Sequence, residues 1–143
     1  MTIRQTMRYY KPNSSATKRP KPAAAQASEH AEQVSLVQWF DKEFPELRGR
    51  LFAIPNGGHR HPAEAARLKL EGVRAGVPDL FLPVPAGGKH GLFIEMKREK
   101  GGRLSPEQKD WLTFLQAQGY EAQCCAGYFE AMSTVFAYLY TKE

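Results

Sequence analysis

Two apolar runs separated by a short glycine-rich loop, residues 77–84 and 92–97, constrain the fold most. Apolar runs of this length, bounded by glycine and proline, are typical of strands, and two such runs in succession predict a β-hairpin. Ionisable residues interrupt both runs, because Asp79 lies in the first and Glu95 and Lys97 lie in the second. Charged groups are costly in strands suited to burial, so this hairpin is a candidate functional element.

A capping box marks the start of a helix directly after the hairpin. Ser105 is suited to the N-cap, Pro106 to the first helical position and Gln108 to the third. The helix is predicted to run to residue 118 and to stop at Gly119. The spacing of hydrophobic residues and the positions of turn residues predict the other elements. Helices are predicted over 23–44, 62–71 and 129–139, a buried strand over 51–54, and a further strand over 120–126. This order predicts an α/β fold, a mixed four-stranded sheet flanked by helices on both faces.

Charge divides the chain into an arm and a domain. The 143 residues have a formal net charge of +5, and residues 1–28 contain six Lys or Arg and no acid. We therefore predict a basic, flexible arm over residues 1–27 and one folded domain over residues 28–143. A basic arm suits the phosphate backbone of a nucleic acid. A solvated leader that binds nothing is an equally good interpretation.

Composition excludes several classes of protein. No apolar run approaches the roughly 18 residues that cross a bilayer, and the N-terminus has no apolar signal region, so we expect a cytoplasmic protein without membrane contact. The two cysteines, Cys124 and Cys125, are too few for a disulfide framework or a four-cysteine iron-sulfur cluster. We expect them to be buried, reduced thiols without a catalytic role.

The strand period of two places Glu95 and Lys97 on one face of their strand, and hairpin pairing can bring Asp79 beside Glu95. Two neighbouring carboxylates repel each other, so they favour a compensating cation. Lys97 supplies part of that charge, and a hard divalent ion such as magnesium would supply more. Such a site suits phosphodiester hydrolysis. The alternative is an exposed ion pair of no catalytic significance.

Pro78-Asp79 followed by Glu95-Met96-Lys97 resembles the PD-(D/E)xK nuclease motif, and its surroundings are similar to the virus-type replication-repair nuclease (VRR-NUC) branch. The resemblance covers about residues 28–140, so the chain looks like a stand-alone member, and it implies a restriction-endonuclease-like core. Supporting residues lie on both sides of the motif: Glu29, Gln33, the Pro-Asn-Gly-Gly loop at 55–58, Gly72, Gly76, Ser105, Gln108 and Gly119.

The resemblance also implies roles for individual residues. Asp79, Glu95 and the main-chain carbonyl of Met96 would bind Mg²⁺ or Mn²⁺, and Lys97 would be the catalytic lysine. Glu29 would be the helix acid, which binds the metal more remotely or through water, with Glu32 as its alternative. Gln33 and Gln108 would be supporting residues.

Several residues are candidate DNA contacts because they are cations or lie in loops beside the motif. His59 and His61 have no acid or cysteine partner at a metal-ligand spacing, so we favour an ordinary loop over a metal site. Approach to phosphate is the alternative for His59 and Arg60. The candidates are Asn56, His59, Arg60, Lys89, Arg98, Lys100 and Arg103.

The resemblance predicts a metal-dependent, structure-specific DNA endonuclease, and its stand-alone members point to a Holliday junction resolvase that acts as a homodimer on branched DNA. A nuclease of the same chemistry that acts on flaps, nicks or 5′ ends is one alternative. A non-catalytic DNA-binding module, in which Asp79, Glu95 and Lys97 form a surface ion-pair cluster, is the other.

Overall fold

The computed structural model describes residues 27–56 and 61–141. Helices and strands alternate along this part of the chain in nearly the predicted order. They are α1 Glu29–Glu43, β1 Phe52–Ala53, α2 Pro62–Leu70, β2 Leu80–Leu82, β3 Leu92–Lys97, α3 Pro106–Ala117, β4 Glu121–Ala126 and α4 Tyr128–Leu139. A short 3-10 turn, Pro45–Leu47, follows α1.

The strands form one mixed sheet in the order β1-β2-β3-β4. The predicted hairpin is present, since β2 pairs antiparallel with β3 and Leu80 lies opposite Ile94. Strand β4 pairs with β3 in parallel, with Lys97 opposite Ala126. The crossover from β3 to β4 contains α3, as a parallel connection requires. The predicted mixed four-stranded α/β fold is confirmed.

Helices α1 and α4 cover one face of the sheet and form the larger core. Leu36 and Phe40 of α1 and Val135 of α4 are fully buried there, against Ile94 and Met96 of β3. Helix α3 covers the other face above β3 and β4, where Leu112 and Leu115 pack near Phe93. Alternate residues of β3 therefore face different helices, and Phe93, Glu95 and Lys97 share the α3 side.

The capping box that starts α3 is present as predicted. The Ser105 hydroxyl accepts a hydrogen bond from the Gln108 N–H at 3.1 Å, and the Gln108 side-chain oxygen accepts one from the Ser105 N–H at 2.8 Å. Helix α1 begins at Glu29, not at residue 23, because Ser28 caps its first turn. Residues 23–26 of the predicted helix lie outside the described part of the chain.

Strand β1 corrects the prediction of a buried strand over residues 51–54. Only Phe52 and Ala53 pair with β2, and both are exposed. Strand β1 is at the sheet edge and has only β2 as a neighbour among the described strands, and its side chains are exposed to solvent. The predicted helix at residues 62–71 is present as α2, but it buries none of its residues.

Among the described residues, no helix is both long and apolar enough to cross a membrane. Both cysteines are free thiols. Cys125 is buried, and desolvation raises the pKa of its thiol to about 11. Cys124 is only half-buried, because the edge of β4 leaves part of it accessible.

Candidate active site

Asp79 directly precedes β2 and lies beside the end of β3. Its Oδ2 accepts a hydrogen bond from the Met96 N–H at 2.7 Å, and its main-chain carbonyl accepts one from Ile54 at 2.8 Å. The side chain is therefore bound to β3 while its backbone is bound to the segment that follows β1. The register of the hairpin continues from Leu80 and Ile94 to place Asp79 opposite Glu95.

Glu95 is the most buried ionisable group at this site, with 2% of its surface exposed. Its Oε1 accepts a hydrogen bond from the Gln108 side-chain amide at 2.7 Å and lies 3.2 Å from Lys97 Nζ. Its Oε2 is buried and has no hydrogen-bond partner among the described residues. An unsatisfied buried carboxylate oxygen is costly. The Asp79 carboxyl lies within hydrogen-bonding reach of Glu95, so either a proton shared by the two acids or a bound cation would satisfy this pair.

Burial raises the pKa of both acids, and repulsion by Asp79 adds to the effect at Glu95. Desolvation, followed by the charge of Asp79, raises the pKa of Glu95 to about 7. Desolvation also raises the pKa of Asp79, against the opposing effects of the Met96 hydrogen bond and the Lys97 charge. The Lys97 side chain is only 11% exposed, so its ammonium group acts in partly desolvated surroundings. One lysine does not balance two carboxylates, and the pair therefore attracts a proton or a metal ion.

Gln108 is oriented by the capping box. Its Oε1 accepts from Ser105, so its amide nitrogen faces Glu95 Oε1. This leaves Oε2 as the free oxygen of the carboxylate. The helix cap and the candidate site therefore share one side chain, and the sequence-predicted supporting residue lies in contact with Glu95.

The two candidate helix acids have different surroundings. Glu29 is exposed, accepts a hydrogen bond from the Arg98 N–H at 3.4 Å, and its charge contributes to the raised pKa of Asp79. Glu32 is buried and accepts a hydrogen bond from the Tyr128 N–H at 2.5 Å, which caps the first turn of α4. The structure thus brings Glu29, and not Glu32, to the site.

The side chains fit a divalent cation held by few protein ligands. In the described ranges, no group of three or more His, Cys, Asp or Glu side chains could hold a metal ion. Asp79, Glu95 and one main-chain carbonyl oxygen would leave several positions of a hard cation to water, as Mg²⁺ commonly does. Gln33 is half-buried and makes no hydrogen bond with other described residues, so the structure does not connect it to this cluster.

Four of the candidate DNA contacts lie near the end of the sheet that carries Lys97. Arg98, Lys100 and Arg103 are exposed in the segment directly after β3, at the Lys97 end of the sheet. Asn56 is close by, because its amide donates to the Val77 carbonyl. His59 and Arg60 lie outside the described residues.

Lys89 does not join this group. It lies in the loop that connects the end of β2 to the start of β3, whereas Asp79 precedes β2 and Lys97 ends β3. A hairpin loop is at the opposite end of its strands from their free ends, so β3 separates Lys89 from the carboxylates.

Gly76 packs closely against the first turn of α3. A Cβ atom at this position would be 2.6 Å from the Glu107 carbonyl carbon and 2.7 Å from Glu107 Cβ. Gly76 also has a φ of +85°, which is unfavourable for other residues. Because Gln108 directly follows Glu107, a shift of α3 away from residue 76 would also move the side chain that donates the hydrogen bond to Glu95.

We expect Gly76→Ala to destabilise the protein by roughly 2 kcal/mol, about half from backbone strain and half from crowding against α3. Gly72→Ala is the control, since Gly72 has a φ of +102° and open space around its Cα. It should cost only the strain, about 1 kcal/mol. Urea unfolding of both variants measures the difference, and equal losses would mean that the contact with α3 is not constraining.

One residue at the site escaped the sequence analysis. Gly102 lies against the side chain of Lys97, where a Cβ would be 2.9 Å from Lys97 Cβ. The available signal was the pair Gly101-Gly102 in a turn that directly follows the lysine strand.

Comparisons with known proteins agree with this architecture. The sequence model of the VRR-NUC domain family matches residues 25–129. A solved structure named "VRR_NUC domain protein" is similar at 27% identity and a TM-score of 0.70, covering 80% of this chain and 89% of that one. No curated protein matches the chain.

Proposed function

This chain belongs to the VRR-NUC family, whose domain is of the nuclease type, and from that premise we propose that it is a divalent-metal-dependent, structure-specific DNA endonuclease. The observation that carries the proposal is the buried Glu95 carboxylate, with one oxygen unsatisfied, next to Asp79 and Lys97. A protein that only bound DNA would gain nothing from acids directed at phosphate, because they repel it. The substrate we favour is a Holliday junction.

The reaction is hydrolysis of a phosphodiester. The oxygen of water forms a bond to phosphorus, one ester bond breaks, and the leaving oxygen takes up a proton. A Mg²⁺ or Mn²⁺ ion bound here would supply charge neutralisation at the scissile phosphate and a lowered pKa for its water. Asp79, Glu95 and the Met96 main-chain carbonyl would hold it, and Glu29 would bind it more remotely or through water.

Lys97 acts as a charged hydrogen-bond donor. Its Nζ lies 3.2 Å from Glu95 Oε1, so it orients the attacking water beside the carboxylates and stabilises negative charge on the phosphate. Gln108 donates to the same oxygen and keeps the Glu95 carboxylate in one orientation. A fixed carboxylate requires less reorganisation during the reaction.

DNA contacts complete the proposal. Arg98, Lys100 and Arg103 bind phosphates on the side where β3 ends, and the basic arm over residues 1–27 extends this electrostatic contact. A homodimer would match the two-fold symmetry of a four-way junction and place two sites on opposite strands. Such an enzyme would act in the cytoplasm.

The test compares an end-labelled four-way junction with a linear duplex of the same sequence, with and without Mg²⁺ or Mn²⁺. We expect symmetric, metal-dependent cuts in the junction, and a loss of at least about 100-fold in Lys97→Ala. Lys42→Ala is the control for loss of one positive charge, because Lys42 is exposed in the last turn of α1. Glu29, at the first turn of that helix, is about 20 Å away at 1.5 Å per residue.

Other outcomes select the alternatives. Cleavage of flapped, nicked or 5′-ended duplexes, with the junction left intact, would retain the chemistry and replace the substrate. Binding of the junction without any cleavage in either metal would reject catalysis and favour the DNA-binding module.

A further inference from the structure

The side chain of Lys97 is constrained along its length. At its tip, Nζ lies 3.2 Å from Glu95 Oε1. At its root, β3 pairs with β4, and the Lys97 carbonyl accepts a hydrogen bond from the Gly127 N–H at 2.8 Å. A lysine stem has four rotatable bonds, so fixing both ends still leaves the middle able to adopt several conformations.

The turn after β3 closes on that stem. A Cβ at Gly102 would be 2.9 Å from Lys97 Cβ, 3.4 Å from Lys97 Cδ and 3.3 Å from the Arg98 carbonyl oxygen. The contact at Lys97 Cβ cannot be relieved by a change of rotamer, because the position of Cβ is determined by the strand backbone. The φ of Gly102 is not in the left-handed region, so only the space, and not the backbone conformation, requires glycine.

Hydrogen bonds connect the turn to its surroundings on both sides. The Arg98 N–H donates to Glu29 Oε1 at 3.4 Å, and the Arg98 guanidinium donates to the Gly101 carbonyl at 3.4 Å. Beyond Gly102, the Ser105 N–H donates to Gln108 within the cap of α3. A turn that moved to make room for a methyl group at residue 102 would disturb these contacts, and a turn that stayed in place would press the methyl group against the Lys97 side chain.

We propose that Gly102 is a positioning residue for Lys97. Its lack of a side chain lets the turn pack on the lysine stem, and this packing sets the ammonium group against Glu95. The catalytic consequence rests on the proposed nuclease function, but the effect on Lys97 does not. The test therefore uses one readout that depends on cleavage and others that do not.

Gly102→Ala is compared with Gly91→Ala. Gly91 also has an ordinary φ, and a Cβ there would be 2.7 Å from Phe81 Cε2 and 3.0 Å from the Leu82 carbonyl oxygen. The crowding is similar, but it lies just before β3, at the end away from Lys97. We expect Gly102→Ala to lower kcat on the preferred DNA substrate by about 10- to 100-fold with KM little changed, because small misplacements of a catalytic group have effects of this size. Gly91→Ala should leave the kcat of the folded protein as in wild type.

The second readout is the ¹³Cε NMR signal of Lys97, assigned by its absence from Lys97→Ala. We expect this signal to move in Gly102→Ala and not in Gly91→Ala. If wild type cleaves no nucleic acid, the proposed function fails while the NMR comparison still decides on the positioning. An unmoved signal overturns the proposal, and so does unchanged kcat in an active Gly102→Ala enzyme.

A stability cycle covers the case in which Gly102→Ala folds poorly. In Lys97→Gly the stem and its Cβ are gone, so the added methyl group has no lysine to meet. We expect Gly102→Ala to lower Tm when residue 97 is lysine and to leave Tm nearly unchanged when it is glycine. Equal shifts in both backgrounds would show that Gly102 matters for the turn alone, and would overturn the proposal.

Discussion

Asp79→Asn should lower metal-dependent DNA cleavage by about 1,000-fold or more while the protein remains folded and bound to DNA. The amide oxygen of Asn can still accept the hydrogen bond that Met96 donates to Asp79 Oδ2, so the junction of β2 and β3 is preserved. What disappears is a negative charge that helps to hold the cation. Loss of several kcal/mol of electrostatic stabilisation in the transition state corresponds to about 1,000-fold in rate.

Two variants make this expectation specific. Asp110→Asn removes the same charge from an exposed position on α3 and should leave cleavage unchanged. Glu29→Gln should have an intermediate effect, about 10-fold, because Glu29 is exposed and meets the site through Arg98 and its charge on Asp79. Cleavage rates and DNA affinity, measured on the same samples, separate catalysis from binding. Full activity in Asp79→Asn would contradict the metal-site assignment.

The parts of this site that depend on local rules could be predicted from sequence. The strand period placed Glu95 and Lys97 on one face, and the hairpin placed Asp79 opposite Glu95. The capping box at Ser105 and Gln108 was readable for the same reason, since its two hydrogen bonds span three residues.

The parts that depend on distant packing could not be predicted. Glu29 and Glu32 lie one turn apart on α1, and what distinguishes them is the Tyr128 N–H, 96 residues further along the chain than Glu32. The exposure of Phe52 follows from the edge position of β1, which the sequence alone does not specify. The sequence predicted the role of Gln108 in the helix cap, but its contact with Glu95 depends on the packing of α3 on β3.

Lys89 shows that proximity in sequence differs from proximity in space. Its loop was predicted, and the antiparallel pairing of β2 with β3 implies that this loop lies at the end of the hairpin away from Asp79 and Lys97. Arg98, Lys100 and Arg103 follow β3 and therefore lie at the Lys97 end. A contact between Lys89 and DNA stays a prediction, but it would be remote from the carboxylates.

Glu95→Gln should stabilise the metal-free protein at pH 8, by at most about 3 kcal/mol, although it removes a residue of the candidate site. The pKa of Glu95 is raised from 4.5 to about 7, and each unit corresponds to about 1.4 kcal/mol. For an acid whose folded pKa is raised, the penalty is complete above the folded value and disappears below the unfolded value. The advantage of Glu95→Gln should therefore shrink as pH falls from 8 through 7 towards 4.5.

The amide of Gln fits the same contacts without the charge. Its oxygen can accept the hydrogen bond that Gln108 donates, and its nitrogen can donate to the Asp79 carboxylate, which lies within hydrogen-bonding reach of residue 95. Urea unfolding in a chelator at pH 8 and at pH 5 measures the difference. Glu46→Gln, which neutralises an exposed acid after α1, should change stability by less than about 0.5 kcal/mol at both pH values.

Added metal should reverse the ranking of the two proteins at pH 8. An ion that binds the native state raises the free energy of unfolding in proportion to the logarithm of its concentration above Kd. Wild type should gain stability from Mg²⁺ or Mn²⁺ at pH 8, whereas Glu95→Gln should gain little, because an amide is a poor substitute for a charged ligand. Destabilisation by Glu95→Gln in the chelator would mean that Lys97 compensates the buried charge by itself. The argument that the site also needs a metal ion, in addition to Lys97, would then fail. Its main structural support, the unsatisfied carboxylate oxygen of Glu95, would fail with it.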